Sequence, residues 1–163
     1  MRHTSGFSLL ELLIVIGIVG VLAAIVPLTI RRDQIQTRQA ANLLAQQIQL
    51  SRFEAVRRNR FAGIYFPANG LSFIVYEDTN NDRTYTSSGD TTIQTYNLRS
   101  GDYAKTQLQL SAAATILFDP RSFLVNTAAP GTVTTFRMQS TDNSNYVWRV
   151  EVTTQGRVIR VIQ

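Results

Sequence analysis

The chain has 163 residues, 44% of them hydrophobic and 17% charged, with no cysteine and one histidine, His3. That length suits one globular domain with one added element rather than a multidomain enzyme. The absence of thiols excludes a disulfide framework, a cysteine nucleophile and cysteine zinc ligation. The net charge of +5 comes from 16 Lys and Arg against 11 Asp and Glu. Lys105 is the only lysine, so the positive charge is almost wholly guanidinium, which suits phosphates, carboxylates and subunit interfaces alike.

A basic stub holding Arg2 and His3 precedes an apolar run. No residue from Leu12 to Ile30 is charged, and as a helix this run spans about 28 Å, close to the hydrocarbon thickness of a bilayer. A cleaved signal peptide would be shorter and would end in a small-x-small site, whereas Leu22-Ala23-Ala24 offers leucine there and the apolar run continues. Lipoprotein anchoring would require a cysteine. Ser8 and Glu11 have the spacing of a capping box, in which Ser8 caps the helix and Glu11 returns to the Ser8 amide. A carboxylate entering an apolar segment costs about 2–3 kcal/mol near a bilayer centre and ordinarily has a partner, so an intermolecular role for Glu11 is compatible with the cap. Gly17, Gly20 and Ala24 lie near one helix face and would let another helix approach, although such residues are common in membrane helices anyway. Pro27 removes a backbone bond and is expected to kink or loosen the helix. Arg2 lies before the run, and Arg31 and Arg32 lie directly after it, so charge alone leaves the orientation open.

The stretch Gly6-Phe7-Ser8-Leu9-Leu10-Glu11-Leu12-Leu13 closely resembles the class III leader of type IV prepilins and type II secretion pseudopilins. In that family a short basic leader ends in glycine, phenylalanine follows, and a glutamate sits fifth in the mature chain. The resemblance implies a leader over residues 1–6, cut between Gly6 and Phe7 by a prepilin peptidase, with methylation of the new Phe7 amine. It implies an assembly helix over 7–32, transmembrane before assembly, and an external pilin-like α+β domain over 33–163. Glu11 would meet the Phe7 amine of a neighbouring subunit, and Pro27 matches a proline often found there. The chain would cross the bacterial inner membrane once with its C-terminal domain outside, then join a pilus or pseudopilus.

From Gln34 to Asn59 there is no glycine or proline, and Ala41, Leu44, Ile48 and Ala55 recur at helical spacing beside Leu43, Leu50 and Phe53. Gln46, Gln47, Gln49, Arg52, Glu54, Arg57 and Arg58 form the polar side, so one face should pack on a sheet. Joined to the apolar run, Ser8 to Asn59 would make one helix of about 78 Å. Beyond Arg60 the period changes to that of strands, expected at 62–66, 71–77, 91–97, 106–110, 115–118, 123–126, 132–138, 146–153 and 157–162, separated by Gly, Asn, Asp and Pro. The fold class is therefore α+β, a long N-terminal helix on an antiparallel β region.

Ile116-Leu117-Phe118-Asp119-Pro120-Arg121 and Gly156-Arg157-Val158-Ile159-Arg160 resemble two segments of the H-type pseudopilins and FimT/FimU-like minor pilins. Ser122 stands where glycine is usual, and the final arginine is one place late. Some FimT-like members use basic C-terminal residues in DNA uptake, so the resemblance offers Arg157 and Arg160 as DNA contacts. Residues an odd number apart on a strand point to opposite faces unless a bulge intervenes, and a solvated basic surface is the competing reading. Arg149 shares a strand face with Val147 and Glu151 and reads equally as part of a basic surface or as a surface ion-pair partner.

Asp78, Asn80 and Asp82 fall at positions one, three and five of an EF-hand-like loop. Arg83 occupies the sixth position, where a sharp turn favours glycine, and Gly89 the twelfth, where a bidentate glutamate belongs, so a solvated Asx-rich turn is expected rather than a metal site. Glu77, Asp78 and Asp82 read as a polar turn without desolvation, and Trp148 and Tyr146 as packing residues. No cofactor and no enzymatic site are expected. The expected partners are the prepilin peptidase, other pilins or pseudopilins, the inner membrane and, in the alternative reading, DNA.

Overall fold

A computed structural model describes residues 8–29, 32–125, 134–153 and 155–162, with positions 23–29 and 159–162 described by backbone alone. The chain divides into two compact units, Met1–Arg32 and Asp33–Gln163. The first unit contains the helix α1, Leu9–Thr29. Ser8 caps it, its Oγ accepting the Leu10 amide at 3.3 Å. The return bond from Glu11 to the Ser8 amide is not among the hydrogen bonds of the described residues, so only half of the expected capping box is formed.

The helix α2, Arg32–Arg58, belongs to the second unit. Of the single helix expected from Ser8 to Asn59, the described residues form two helical stretches, α1 and α2; Ile30 and Arg31, where they would join, lie outside the described residues. The buried face of α2 runs through Ala40, Leu44, Ile48, Ser51 and Ala55, with Thr37 and Ala41 beside it. Small residues on this face let the helix lie close to the sheets. The buried Thr37 and Ser51 hydroxyls each donate to the carbonyl four residues back, Asp33 and Gln47, at 2.8 Å. Leu50 and Phe53, expected on the packed side, are instead 41% and 60% exposed, because the three- and four-residue steps of the buried face leave them on the other side. Asn59 ends α2 with φ of 52°, while the Arg60 amide reaches the Ala55 carbonyl and the Asn59 amide the Val56 carbonyl, both at 3.2 Å. This is a Schellman closure with asparagine in the left-handed position.

Eight strands follow among the described residues: β1 Ala62–Phe66, β2 Ser72–Glu77, β3 Thr91–Asn97, β4 Thr106–Gln109, β5 Ala114–Phe118, β6 Thr134–Ser140, β7 Val147–Val152 and β8 Val158–Ile162. The expected antiparallel β region is formed, and its described strands make two antiparallel four-stranded sheets, ordered β3-β2-β1-β5 and β4-β6-β7-β8. No separate strand forms at Phe123: the Asp119 carboxylate takes the Arg121 and Phe123 amides at 2.9 and 2.8 Å, leaving only a bridge between Phe118 and Leu124. Asn126, Thr132 and Gly131 lie outside the described residues.

Both sheets and α2 contribute to one core, in which Leu44 and Ile48 meet Phe66, Phe73 and Val75 of the first sheet and Phe136, Met138 and Val150 of the second. The Phe66 and Phe136 rings stack at 4.5 Å between centroids, joining the sheets. Gly70 makes a second junction: its carbonyl accepts the Leu108 amide at 2.9 Å, and its φ of 64° together with a would-be Cβ only 2.0 Å from the Leu108 oxygen admits no other residue without distortion. Trp148 is buried as expected, with the Arg38 guanidinium 5.5 Å over its ring. The outer strand β3 is the wettest, with only Ile93 and Tyr96 half-buried, and its pairing with β2 shifts register between Val75 and Tyr76.

Candidate functional site

Three places gather the residues that the sequence singles out. At the N-terminus, Gly6 and Phe7 lie outside the described residues. Glu11 is exposed in the first turn of α1, and helical backbone continues through Pro27 to Thr29. Every described side chain of α1, from Leu9 to Leu22, is exposed although nearly all are apolar. Among the described residues no helix is long and apolar enough to cross a membrane; the described side chains of α1 stop short of the roughly 20 residues that a span requires.

The second place joins the two C-terminal motifs. Arg52, read from sequence as a solvent-facing residue of α2, reaches across to both: its Nη2 donates to Ser122 Oγ at 3.1 Å and its Nη1 to the Gly156 carbonyl at 3.4 Å. Ser122 has φ of 69°, the left-handed conformation for which glycine is the usual choice. Gly156 has φ of 72°, and a Cβ there would lie 3.1 Å from the Ser122 oxygen and 3.3 Å from Arg52 Nε. The motifs are thus packed backbone to backbone and held by one guanidinium. Beside them opens a cavity of about 590 Å³, lined by Arg52, the exposed Phe53 and Val56, and Arg157. Nothing in the sequence pairs Arg52 with Gly156, which lies 104 positions away.

Of Arg157 and Arg160, only the first has a described side chain. Arg157 is exposed in the turn before β8, its amide donating to Thr153 Oγ1 at 3.1 Å. Arg160 occupies the register position opposite the buried Val150. Arg149 lies at the register position opposite Arg137 on β6, and its Nε is buried with no hydrogen-bond partner among the described residues, so the ion pair offered for it is not among the contacts of the described residues.

The third place is the acidic turn after β2, where the expectation of a wholly solvated cluster fails. Glu77 is buried and bound by Arg58 Nη1 at 2.6 Å and Arg60 Nε at 3.6 Å, which ties the end of α2 to the first sheet. Asp78 is completely buried, its Oδ2 accepting the Arg83 amide at 3.0 Å. Asp82 remains exposed, and the Thr84 hydroxyl and amide hold its carboxyl below the usual range. Asp90, which the sequence pattern did not mark, accepts the Thr79 and Thr86 amides at 3.1 and 2.7 Å and closes the turn. Among the described residues no three acidic, histidine or cysteine side chains already converge on a metal position.

Residues 40–156 match the family described as Type II transport protein GspH, and residues 1–27 match the prokaryotic N-terminal methylation motif. The chain is 35% identical over 121 residues to the pilin-like protein PilA1 of Thermus thermophilus, an overlap of 71% of this chain and 76% of that protein. In fold it is similar to the type IV minor pilin FimU of Pseudomonas aeruginosa, with TM-score 0.54 and 18% identity over 76% of this chain and 91% of that one. It is also similar to the minor pseudopilin EpsH from the Type 2 Secretion System of Vibrio cholerae, with TM-score 0.51 and 14% identity over 78% of this chain and 97% of that one.

Proposed function

Because the chain belongs to the Type II transport protein GspH family and carries the N-terminal methylation motif, we propose that it is a structural filament subunit made as a precursor and cut between Gly6 and Phe7 by prepilin peptidase. After cleavage, α1 anchors it in the bacterial inner membrane with the β-rich unit outside, and the subunit then enters a type IV pilus or type II secretion pseudopilus. The observation that carries this reading is α1 itself, an apolar helix that starts at Leu9 and exposes each of its described side chains. Such a helix is stable when lipid or neighbouring helices cover it. Glu11 then neutralises the Phe7 amine of the next subunit, which gives an intermolecular use to a carboxylate left out of the Ser8 cap.

Mass spectrometry of membrane-extracted protein tests the cleavage. Wild type should begin at a methylated Phe7, and Gly6→Leu should retain the leader; a wild-type chain beginning at Met1, or a variant cut normally, removes the leader assignment. Glu11→Val should process and insert normally but be depleted from sheared filaments, because the Ser8 cap does not use Glu11 whereas the intersubunit charge match is lost. Unchanged recovery in filaments reduces Glu11 to a capping-position residue.

A second reading, DNA capture by the external unit, draws support from Arg157, exposed beside Arg52 at the open cavity. Arg160, described by backbone alone, is the second candidate contact. A gel shift of the unit from Asp33 onward should weaken with salt by a log-log slope of about −0.9 per phosphate contact. If binding is absent at low salt, or unchanged in Arg157→Ala and Arg160→Ala, DNA capture by these residues is ruled out.

A further inference from the structure

Filament assembly leaves one buried charge without a use. Asp78 is 0% exposed, and while its Oδ2 takes the Arg83 amide, its Oδ1 has no hydrogen-bond partner among the described residues. Two positions earlier, and so on the same side of the chain, the Tyr76 hydroxyl is also buried without a partner. Burial pushes that phenol far above its ordinary range, and the nearby Asp78, Asp90 and Asp82 push it further, so it stays neutral and cannot offset a carboxylate. Native proteins seldom leave a buried carboxylate oxygen empty, because its lost hydration is not returned.

We infer that residues 78–90 bind a calcium-sized divalent cation through side-chain oxygens of Asp78, Asn80 and Asp82. The two features of sequence that argue against such a loop are both answered by the backbone. Arg83 stands at the sixth position, yet it adopts φ of 62°, the left-handed turn that glycine ordinarily supplies there. Gly89 stands at the twelfth, yet the next residue, Asp90, returns a carboxylate to the start of the loop by binding the Thr79 amide. Asn80 Oδ1 accepts the Asp82 amide at 3.1 Å and Asp82 Oδ1 the Thr84 amide at 2.8 Å, so the side chains at three and five are held in fixed turns of the loop. Since no three acidic side chains converge beforehand among the described residues, two carboxylates, one amide oxygen, main-chain carbonyls and water would make up the six to eight oxygens that calcium takes. Magnesium, which demands a tighter octahedron and gives up its water reluctantly, fits such a loop less well.

The test uses the full chain in detergent, melted with calcium chloride or with a chelator. With affinity typical of extracellular calcium modules, about 5 mM calcium should raise the melting midpoint by about 3–8 °C, and the same concentration of magnesium should do less than half of that. Terbium should give calcium-displaceable emission on tyrosine excitation, because Tyr76 and Tyr85 lie edge to face at 5.0 Å beside the loop. Asp78→Asn and the exposed Asp82→Asn should each abolish the calcium shift, and Arg83→Gly, which relieves the left-handed residue, should enlarge it. If Asp78→Asn fails to fold, Asp82→Asn and Arg83→Gly decide. A wild-type midpoint indifferent to calcium, or a shift that Asp82→Asn retains in full, overturns the site and leaves a buried water as the partner of Asp78.

Discussion

Helices α1 and α2 have 21 and 27 residues, yet they use opposite means to be helical. α2 divides its surface: a narrow seam of small and branched residues is buried, and charged side chains such as Arg57 and Glu54 pair along its exposed side at 2.6 Å. α1 has no such division, being apolar on all sides from Leu12 to Leu22 and exposed at each. A helix that is hydrophobic all round belongs in a surrounding of helices or lipid. The difference shows that apolar content alone says little about a protein's own core; Leu44 stabilises the fold of one chain, whereas Leu13 is available to another.

The comparison breaks if substitutions in the two helices have the same effect. Leu44→Ala, at a position with 0% exposure, should cost about 2–5 kcal/mol of unfolding free energy. Leu13→Ala should change it by less than about 0.5 kcal/mol and appear only as reduced filament recovery. Equal losses in denaturant titrations of the two variants would mean that α1 is part of the folding core. Gly156→Ala tests how far the fixed part of α2 extends: with φ of 72° and the Ser122 backbone at 3.1 Å, it should cost about 1–3 kcal/mol and raise hydrogen exchange of the Ser122 and Phe123 amides. Glu77→Gln removes the carboxylate that ties Arg58 and Arg60 to the first sheet. Because those arginines are 37% and 50% exposed, the expected loss is only about 1–2 kcal/mol.

The smallest effect is on the solvent side of α2. The hydrogen bond from Arg57, aided by Arg58, holds the Glu54 carboxyl below its ordinary value. A depressed carboxyl adds stability above its unfolded value, and that stability is lost as the pH falls through the lower folded value. Wild type should therefore lose about 0.3–0.5 kcal/mol more than Glu54→Gln on the acid side of pH 4. Parallel stability curves from pH 6 to pH 3 would show that the pair contributes nothing.

Much of this was legible in the sequence because its signals are local. The N-terminal methylation motif, the uncharged run after Leu12 and the strand periods at 62–66 and 91–97 each depend on neighbours within a few positions, and the α+β class follows from their order. What the sequence hid depends on distance. The split into two sheets depends on which strand pairs with which, so β4 leaves its chain neighbours to pair with β6. Leu50 and Phe53 look like core residues by type, but the face chosen for burial is the one whose alanines and serine let the sheets approach. Asp78 lies in a run of turn-forming polar residues, and its burial comes from the loop closing over it, a closure made by Asp90 far along the chain. Arg52 shows no motif at all, since its partners are a serine hydroxyl and a backbone carbonyl on two separate loops.

The outer strand β3 has a consequence for solubility. A sheet edge offers unpaired amides and carbonyls to any extended chain, and proteins that must stay dispersed blunt such edges. β3 presents Thr91, Thr92, Gln94, Thr95 and Asn97 to water, and the register shift opposite Val75 and Tyr76 interrupts the regular ladder. An incoming strand would find little apolar surface and an irregular template, so subunits crowded together before assembly are kept from pairing along this edge and aggregating there.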